Sequence, residues 1–385
     1  MITVSTFLGV AIFTGVILIL VLMLNLAESK LLPQGNVTLN INGDDDKSIK
    51  VRPGSTLLSA LANESVFLPS ACGGGGTCAM CKCQITEGGG EILPTEKGHI
   101  NRSEAKDNWR LACQVKVKED MKVQVPDEIF NIQKWDCTVR SNKNVATFIK
   151  ELVLELPKGE NLNFTAGGYI QIDIPEYHNL NFKDFNVEKE YHEDWDKFKI
   201  WDVVANNDED CFRAYSMANH PAEGNIIMLN VRIATPPPAL WDQVPPGIAS
   251  SYIFNLKEGD KVTISGPFGE FFAKETEREM IYLGGGAGMA PMRSHLFDLL
   301  DTQKTKRKIT FFYGARSARE MFYHDDFLRL EQEYPNFKYI VGLSEPMPED
   351  NWEGPTGFIH NAVSYTHLRA HETREDLVCR VLLEK

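Results

Sequence analysis

Three cysteines stand within ten residues, in the stretch CGGGGTCAMC that runs from Cys72 to Cys81. Their spacing is C-x5-C-x2-C, and Cys113 follows after 31 intervening residues. Four thiolates can hold two irons that are bridged by two sulfides. The four consecutive glycines before Thr77 permit a sharply bent loop whose amides turn inward and donate hydrogen bonds to sulfur. We therefore predict a [2Fe–2S] cluster held by Cys72, Cys78, Cys81 and Cys113.

A structural zinc site and ordinary buried thiols are the alternatives for this group of cysteines. Zinc usually takes paired C-x2-C units, and only Cys78 and Cys81 form one. Cys81 and Cys83 are also close in sequence, but a site built on that pair leaves Cys113 unexplained. We expect the other thiols to be buried or to lie in the tail, as in most proteins. They are Cys83, Cys137, Cys211 and Cys379.

A second chemical motif is the R-x-Y-S pattern in FRAYSMAN. An arginine can pair with a diphosphate through two of its nitrogens, a tyrosine can lie against a flavin ring, and a serine can reach a ring atom. An edge strand with a surface arginine would have the same pattern. The motif resembles the flavin motif of the ferredoxin–NADP reductase superfamily, and LNVRI and PPGIASSY match at further family positions. The resemblance implies FAD bound by Arg213, Tyr215, Ser216, Asn230, Arg232, Gly247 and Ser250.

A third motif is the glycine loop LGGGAGMAP, which joins a predicted strand to a predicted helix. Its pattern is G-x-G-x-x-P, whereas dinucleotide-binding dehydrogenases have G-x-G-x-x-G. A tight turn between strand and helix is the alternative. In this context the loop, with YGARSARE after the next strand, resembles the nicotinamide-nucleotide site of the same superfamily. The resemblance implies NADH bound by Gly284, Gly285, Gly286, Gly288, Pro291, Arg316 and Ser317.

The choice of NADH over NADPH rests mainly on this resemblance. Arg316 and Arg319 are both able to accept a 2′-phosphate, so the residues themselves leave the choice open.

These motifs require elements that hold them in place. VTLNIN and KSIKVRP flank NGDDD as a predicted hairpin, and STLLSALANES predicts a short helix capped by Ser55. We predict a multidomain α+β and α/β chain: a β-grasp ferredoxin domain over 35–128, an FAD-binding antiparallel β-barrel over 132–275, and a doubly wound NAD-binding domain over 276–363. The acidic, aromatic stretch 176–210 is expected to be a solvated surface loop with a few anchoring rings, with a partner-docking face as the alternative.

The N-terminal 30 residues are predicted to form a transmembrane anchor. The run from Thr6 to Leu26 carries no charge and is long enough for a bilayer core of roughly 30 Å. A cleaved signal peptide and a buried helix are the alternatives, but no basic residue precedes the run. Lys30 and later basic residues place the bulk of the chain in the cytoplasm. The net charge of −13, without a basic face, argues against a nucleic-acid partner.

The order anchor, ferredoxin, flavin and nucleotide domain resembles the F subunits of sodium-translocating NADH:quinone oxidoreductases. The resemblance implies a member of a bacterial inner-membrane complex, single-pass, which passes electrons through partner subunits to ubiquinone. It also implies hydride transfer from NADH to FAD and single electrons to the cluster. A flavin is needed there because a hydride carries two electrons and the cluster takes one. No separate acid–base catalytic residue is expected, and sodium movement is assigned to partner subunits because the anchor lacks an ionisable residue.

The tail, residues 364–385, departs from the family. The family's nucleotide domain continues to a Cys-Gly-Pro-Pro loop, whereas Cys379 precedes Arg380 here. We therefore expect a truncated or altered nucleotide domain with an atypical tail. Two other functions stay open: the anchored reductase component of an oxygenase, and a non-enzymatic anchored electron carrier with a degenerate nucleotide domain.

Overall fold

A computed structural model describes residues 9–10, 12–23, 35–241 and 243–363 of the chain. Among these residues, no helix has both the length and the apolar character needed to cross a membrane. The predicted anchor lies partly outside the described residues, and the predicted tail lies wholly outside them. The chain divides into two compact units, Met1–Ile132 and Gln133–Lys385.

The first unit is built on a five-stranded mixed sheet in the order β2–β1–β5–β3–β4. Strand β1 runs parallel to β5, and the other neighbours are antiparallel. This is the predicted β-grasp arrangement. Its strands and helices are β1 (Val37–Ile41), β2 (Asp44–Val51), α1 (Leu57–Asn63), β3 (Lys82–Glu87), α2 (Arg102–Lys106), β4 (Trp109–Leu111) and β5 (Met121–Gln124).

Local sequence explains the start of this unit. Alternate residues of β1 are buried, and the turn to β2 has left-handed φ values of 56° at Asn42 and 70° at Gly43, as a two-residue hairpin requires. Helix α1 begins after Thr56, whose side chain accepts a hydrogen bond from the amide of Ser59. The predicted cap, Ser55, is therefore one residue too early.

The second unit begins with a six-stranded antiparallel sheet in the order β11–β8–β13–β6–β7–β12. A bridge between Met217 and Leu229 joins its two edge regions, so the sheet curls into the predicted barrel around a core of aliphatic side chains. The strands are β6 (Gln133–Ala146), β7 (Ile149–Glu155), β8 (Tyr169–Ile174), β11 (Cys211–Ser216), β12 (Ile226–Arg232) and β13 (Lys261–Phe268), with helix α4 (Ile248–Asn255) between the last two.

The stretch 176–210 has the expected anchoring rings, but it is a packed insertion with strands and a helix of its own and not a plain loop. It contains β9 (Tyr177–Asn181), α3 (His192–Lys197) and β10 (Val204–Asn207). Trp195 is fully buried in a separate aromatic core that also takes in Ile233 and Phe254 of the barrel. Aromatic residues spaced through an acidic segment bury enough apolar area to offset the cost of ordering the chain.

The last region is a parallel sheet in the order β14–β15–β16, with a helix after each of its first two strands. Such sheets bind ligands at the carboxyl ends of their strands, where the predicted glycine loop and Arg316 both lie. The elements are β14 (Met280–Gly284), α5 (Met289–Phe297), β15 (Ile309–Ala315), α6 (His324–Glu333), β16 (Phe337–Leu343) and α7 (Ile359–Val363).

Candidate functional site

The predicted cluster ligands lie in one bent loop and at the end of β4. Gly73, Gly74 and Gly76 have φ values of 63°, 92° and 74°, which explains the run of glycines. The amide of Gly74 donates to the Ser70 hydroxyl at 3.0 Å, and this fixes the bend. A Cβ added at Gly74 would lie 4.0 Å from the Cβ of Cys113, so the loop closes against the fourth cysteine.

The four thiols interact as two pairs. The Cys72 side chain interacts with that of Cys78, and the Cys81 side chain with that of Cys113. Within the described residues, no group of three or more His, Cys, Asp or Glu side chains is arranged around a single metal ion. The pairs also interact with each other, Cys81 with Cys78 and Cys113 with Cys72, so the four thiols lie near one another, as a four-thiolate cluster requires.

The surroundings of Cys72 and Cys113 favour the thiolate form that iron requires. Burial alone would raise the pKa of Cys72, but the backbone amides of Thr77 and Cys78 lower it to about 6. The pKa of Cys113 is likewise lowered to about 6, chiefly by the Cys81 thiol and also by the Gln114 side chain and the Gly76 amide. The pKa of Cys81 is raised because its thiol donates to Cys113. The donor set therefore fits the cluster that the spacing predicts.

The other described cysteines have pKa values above the ordinary range. The buried thiols of Cys83 and Cys137 have pKa values raised by burial to about 12, and the pKa of Cys211 is raised for the same reason. Cys379 lies outside the described residues.

A buried ion pair behind the loop was missed from the sequence. Glu96 is fully buried, and Arg110 donates to its carboxylate at 2.7 Å. The amide of Leu111 donates to the same carboxylate at 2.9 Å, two residues before Cys113. The pair therefore ties the segment before β4 to the strand that presents the fourth cysteine. The only signal was a glutamate among turn residues, which is too common to be informative.

The flavin motif lies on β11, whose six residues are all half-buried. Arg213 donates to the carbonyl of Phe212 at 2.7 Å, and Tyr215 packs against the barrel core. Strand β12 closes the barrel beside β11, and there the Asn230 amide donates to the Tyr323 hydroxyl at 2.8 Å. The Oδ1 atom of Asn230 is buried and has no hydrogen-bond partner among the described residues, as expected where a ligand completes the site.

The start of α4 holds the other predicted flavin residues. Gly247 precedes the helix, and an added Cβ there would come within 2.7 Å of Ala234. The hydroxyl of Ser250 is buried between the Gly247 carbonyl and the Ala234 amide, at 3.1 Å from each. Ser250 thus stabilises the loop, and its hydroxyl is already used within the protein.

The glycine loop joins β14 to α5 and requires glycine at its centre. A Cβ on Gly285 would stand 2.2 Å from the carbonyl oxygen of Gly314 on β15, and Gly286 has a left-handed φ of 55°. By contrast, a Cβ on Gly288 would meet nothing within 4 Å. The loop therefore packs tightly against the sheet on one side and leaves open space on the other, which suits a dinucleotide.

One cavity brings the flavin and nucleotide motifs together. It measures about 250 Å³, and Ser216 from β11 lines it together with Gly284, Gly285, Gly288 and Pro291. A second cavity of about 350 Å³ lies at the carboxyl ends of the strands and is lined by Arg232, Gly286, Arg316 and Glu320, among others. Ser317, which lines neither cavity, is buried, and its hydroxyl has no hydrogen-bond partner among the described residues.

Three domain families match the chain. The 2Fe-2S iron-sulfur cluster binding domain matches residues 39–118, the oxidoreductase FAD-binding domain 198–272, and the oxidoreductase NAD-binding domain 282–380. The last match extends into the tail that we expected to depart from the family. These matches confirm the predicted cofactors and the combination of ferredoxin, flavin and nucleotide domains.

Two curated relatives are similar over nearly the whole chain. The F subunit of the Na(+)-translocating NADH-quinone reductase of Haemophilus ducreyi is 60% identical over 368 residues, which is 96% of this chain and 90% of the relative. The protein of the same name in Neisseria meningitidis is 59% identical over 369 residues, with the same two shares.

Among solved structures, a cytochrome P450 reductase from Amycolatopsis has a TM-score of 0.57 at 23% identity, and the match covers 86% of each chain. The ferredoxin reductase of a carbazole 1,9a-dioxygenase has a TM-score of 0.53 at 22% identity, also over 86% of each. These two similarities concern the fold.

Proposed function

Because the chain belongs to the family of the F subunits of Na(+)-translocating NADH-quinone reductases, we propose that its residues form the electron-input site of that oxidoreductase. The observation that carries the proposal is the single cavity shared by Ser216 of the flavin motif and the glycine loop. A nicotinamide bound at the loop would lie beside a flavin bound at β11, which is the juxtaposition that hydride transfer needs.

The bound groups supply the redox chemistry: hydride passes from NADH to FAD, and single electrons pass on to the [2Fe–2S] cluster, to partner subunits and to quinone. The protein binds and orients these groups. Cys72 and Cys78 would hold one iron, and Cys81 and Cys113 the other. Inward-facing amides of the glycine-rich loop stabilise the anionic sulfurs.

The flavin and nucleotide residues are assigned on the same basis. The half-buried Arg213, Tyr215 and Ser216 on β11 would contact FAD, as would Asn230, whose Oδ1 lacks a protein partner in the described part of the chain. Ser250 would shape the diphosphate loop through its backbone contacts. The full sets are Arg213, Tyr215, Ser216, Asn230, Arg232, Gly247 and Ser250 for FAD, and Gly284, Gly285, Gly286, Gly288, Pro291, Arg316 and Ser317 for NADH.

The proposed organisation follows the sequence prediction: an anchor over 1–30, a ferredoxin domain over 35–128, a flavin barrel over 132–275 with the insertion 176–210, a nucleotide domain over 276–363, and a tail. The uncharged run from Thr6 to Leu26 supports a single-pass position in a bacterial inner membrane with the bulk of the chain in the cytoplasm. Ubiquinone would be reached through partner subunits.

Anaerobic titration of the purified full chain with NADH tests this function. We expect the flavin absorbance to bleach first and the cluster absorbance to bleach as electrons pass on. A chain that acts only as an electron carrier would show neither change with NADH, although dithionite would still reduce its cluster.

A further inference from the structure

The two arginines that follow β15 are neutralised by carboxylates of this chain. Resting on the NADH-oxidising function proposed above, we infer that Asp194 of the insertion, together with Glu320, sets coenzyme preference by occupying Arg316 and Arg319 and so excluding a 2′-phosphate. In doubly wound sheets this end of the strands meets the adenosine ribose, where an acidic side chain favours a free 2′-hydroxyl and an arginine accommodates a 2′-phosphate.

Asp194 contacts both guanidinium groups. Its Oδ2 accepts a hydrogen bond from Nη2 of Arg319 and lies 3.5 Å from Nη2 of Arg316. Glu320 completes the group, with Oε1 at 3.4 Å from Nη2 of Arg316 and 3.8 Å from Nε of Arg319. Two carboxylates therefore balance two guanidinium groups. The carboxylate side chains are only 14% and 12% exposed, so water screens these pairs weakly.

Packing holds both carboxylates where they are. Asp194 precedes the fully buried Trp195, whose indole donates to the carbonyl of Thr147 at 2.8 Å. Glu320 accepts hydrogen bonds from the amide and the hydroxyl of the same Thr147. Arg319 is fixed further by donating to the carbonyl of Glu190 at 3.1 Å. These hydrogen bonds hold Asp194 of the insertion beside Arg319 of the nucleotide domain.

This group borders the proposed nucleotide site. Arg316 and Glu320 line the 350 Å³ cavity together with Gly286 of the glycine loop. The neighbouring Ser317 is buried, and its hydroxyl has no partner among the described residues.

These pairings affect which coenzyme can bind, because NADPH and NADH differ in charge at the 2′ position. A 2′-phosphate carries about −1.5 to −2 charges at neutral pH, and here it would face two fixed carboxylates and arginines that already have partners. A neutral 2′-hydroxyl faces no such repulsion and can donate to a carboxylate. The structure therefore makes an arginine pair, which by sequence alone could accept either coenzyme, part of a site for NADH.

The test replaces Asp194 with asparagine (Asp194→Asn) in the full, cofactor-loaded chain. Isothermal titration with adenosine 2′,5′-bisphosphate and with AMP measures the effect of the 2′-phosphate directly, without flavin chemistry. We expect the ratio of the two affinities to shift at least tenfold toward the bisphosphate, and the ratio of kcat/KM for NADPH over NADH to rise in parallel. Asp196→Asn, an exposed neighbour on the same helix, is the matched control and should change neither ratio.

Ratios within twofold of those of the parent in Asp194→Asn would overturn the inference alone. If that variant does not fold, as judged by tryptophan fluorescence, Glu320→Gln provides the same comparison and the same criterion. A parent chain that neither binds AMP nor oxidises NADH would instead overturn the proposed function, and the inference with it.

Discussion

The cluster loop and the nucleotide site are built in different ways. The thiols of the loop receive their amide donors from neighbours such as Thr77, and three of the four cysteines lie within ten residues. The nucleotide site depends on contacts far apart in sequence: Arg319 and Asp194 are 125 positions apart. The cluster loop is therefore determined largely by its own segment, whereas the nucleotide site forms only when separate elements have packed.

The largest expected effect comes from removing one sulfur of the local site. Cys81→Ser leaves three thiolates for a cluster that needs four, so iron and acid-labile sulfide should fall to background while FAD stays bound. Metal and flavin analysis of the purified protein measures both. Cys83→Ala removes a fully buried thiol two residues away and should keep the cluster. Full iron content in Cys81→Ser would mean that the ligands are assigned wrongly.

The second largest expected effect tests whether the cluster loop depends on the buried Glu96–Arg110 pair behind it. Glu96→Ala leaves Arg110 buried without its partner, which typically costs about 3–5 kcal/mol. Denaturant unfolding of this unit, followed by the visible circular dichroism of the cluster, measures the loss. The control is Glu87→Ala, which breaks an exposed pair with Lys122 and should cost less than about 1 kcal/mol. Equal effects would show that the buried pair adds nothing to the loop.

The Glu96 carboxylate should also make the stability of the folded protein fall at low pH. Burial opposes ionisation of Glu96, but hydrogen bonds from Arg110 and two backbone amides outweigh it, so the pKa lies below its usual 4.5. A lowered folded-state pKa means that the pair stabilises the protein fully above about pH 4.5, and that this contribution is lost as the pH falls through the lowered value. Glu96→Gln should therefore lessen the acid dependence of unfolding.

A smaller effect is expected where the glycine loop packs against the neighbouring strand β15. Gly285→Ala places a Cβ 2.2 Å from the Gly314 carbonyl, so the backbone must shift. We expect a loss of about 1–3 kcal/mol in stability and weaker AMP binding. Gly288→Ala has open space around its Cβ and should keep the parent's melting temperature. Matching melting curves for the two variants would contradict this packing.

The last and most gradual effect is a pH dependence at the junction of barrel and insertion. Burial lowers the pKa of Lys150 to about 8, although its ammonium donates to the Asn186 carbonyl at 2.6 Å. Between about pH 8 and 10.5, the unfolded chain binds the proton more tightly, so raising the pH favours the folded state by up to about 1.4 kcal/mol per unit.

Lys150→Met should remove this rise, since the side chain no longer titrates. Unfolding curves for parent and variant across that range provide the measurement, and groups common to both cancel in the difference. Parallel pH profiles would indicate that Lys150 keeps an ordinary pKa in the folded protein.

The contrast between the two regions also explains what the sequence could predict. The cysteine spacing, the glycine run and the strand–loop–helix at Gly284 are local patterns, and each predicted the correct kind of element. The insertion was misjudged because its aromatic residues show no helical or strand period, although Trp195 turns out to be fully buried. Only the folded chain brings such residues together.

Individual site residues show the same limit. Arg316 is adjacent to the cavity where the sequence placed it, but its pairing with Asp194 could not be read from either segment alone. Ser250 was predicted to bind FAD, whereas its hydroxyl bridges Gly247 and Ala234. A motif therefore locates a site, but the neighbours of each side chain decide whether that side chain is available to a ligand.

The most direct test of the account is electron paramagnetic resonance of the full chain frozen after anaerobic addition of NADH. We expect the rhombic signal of a reduced [2Fe–2S] cluster in the parent and its absence in Cys81→Ser, whose flavin should still bleach. A parent in which NADH bleaches the flavin without producing that signal, although dithionite produces it, would contradict the proposed path from nucleotide to cluster.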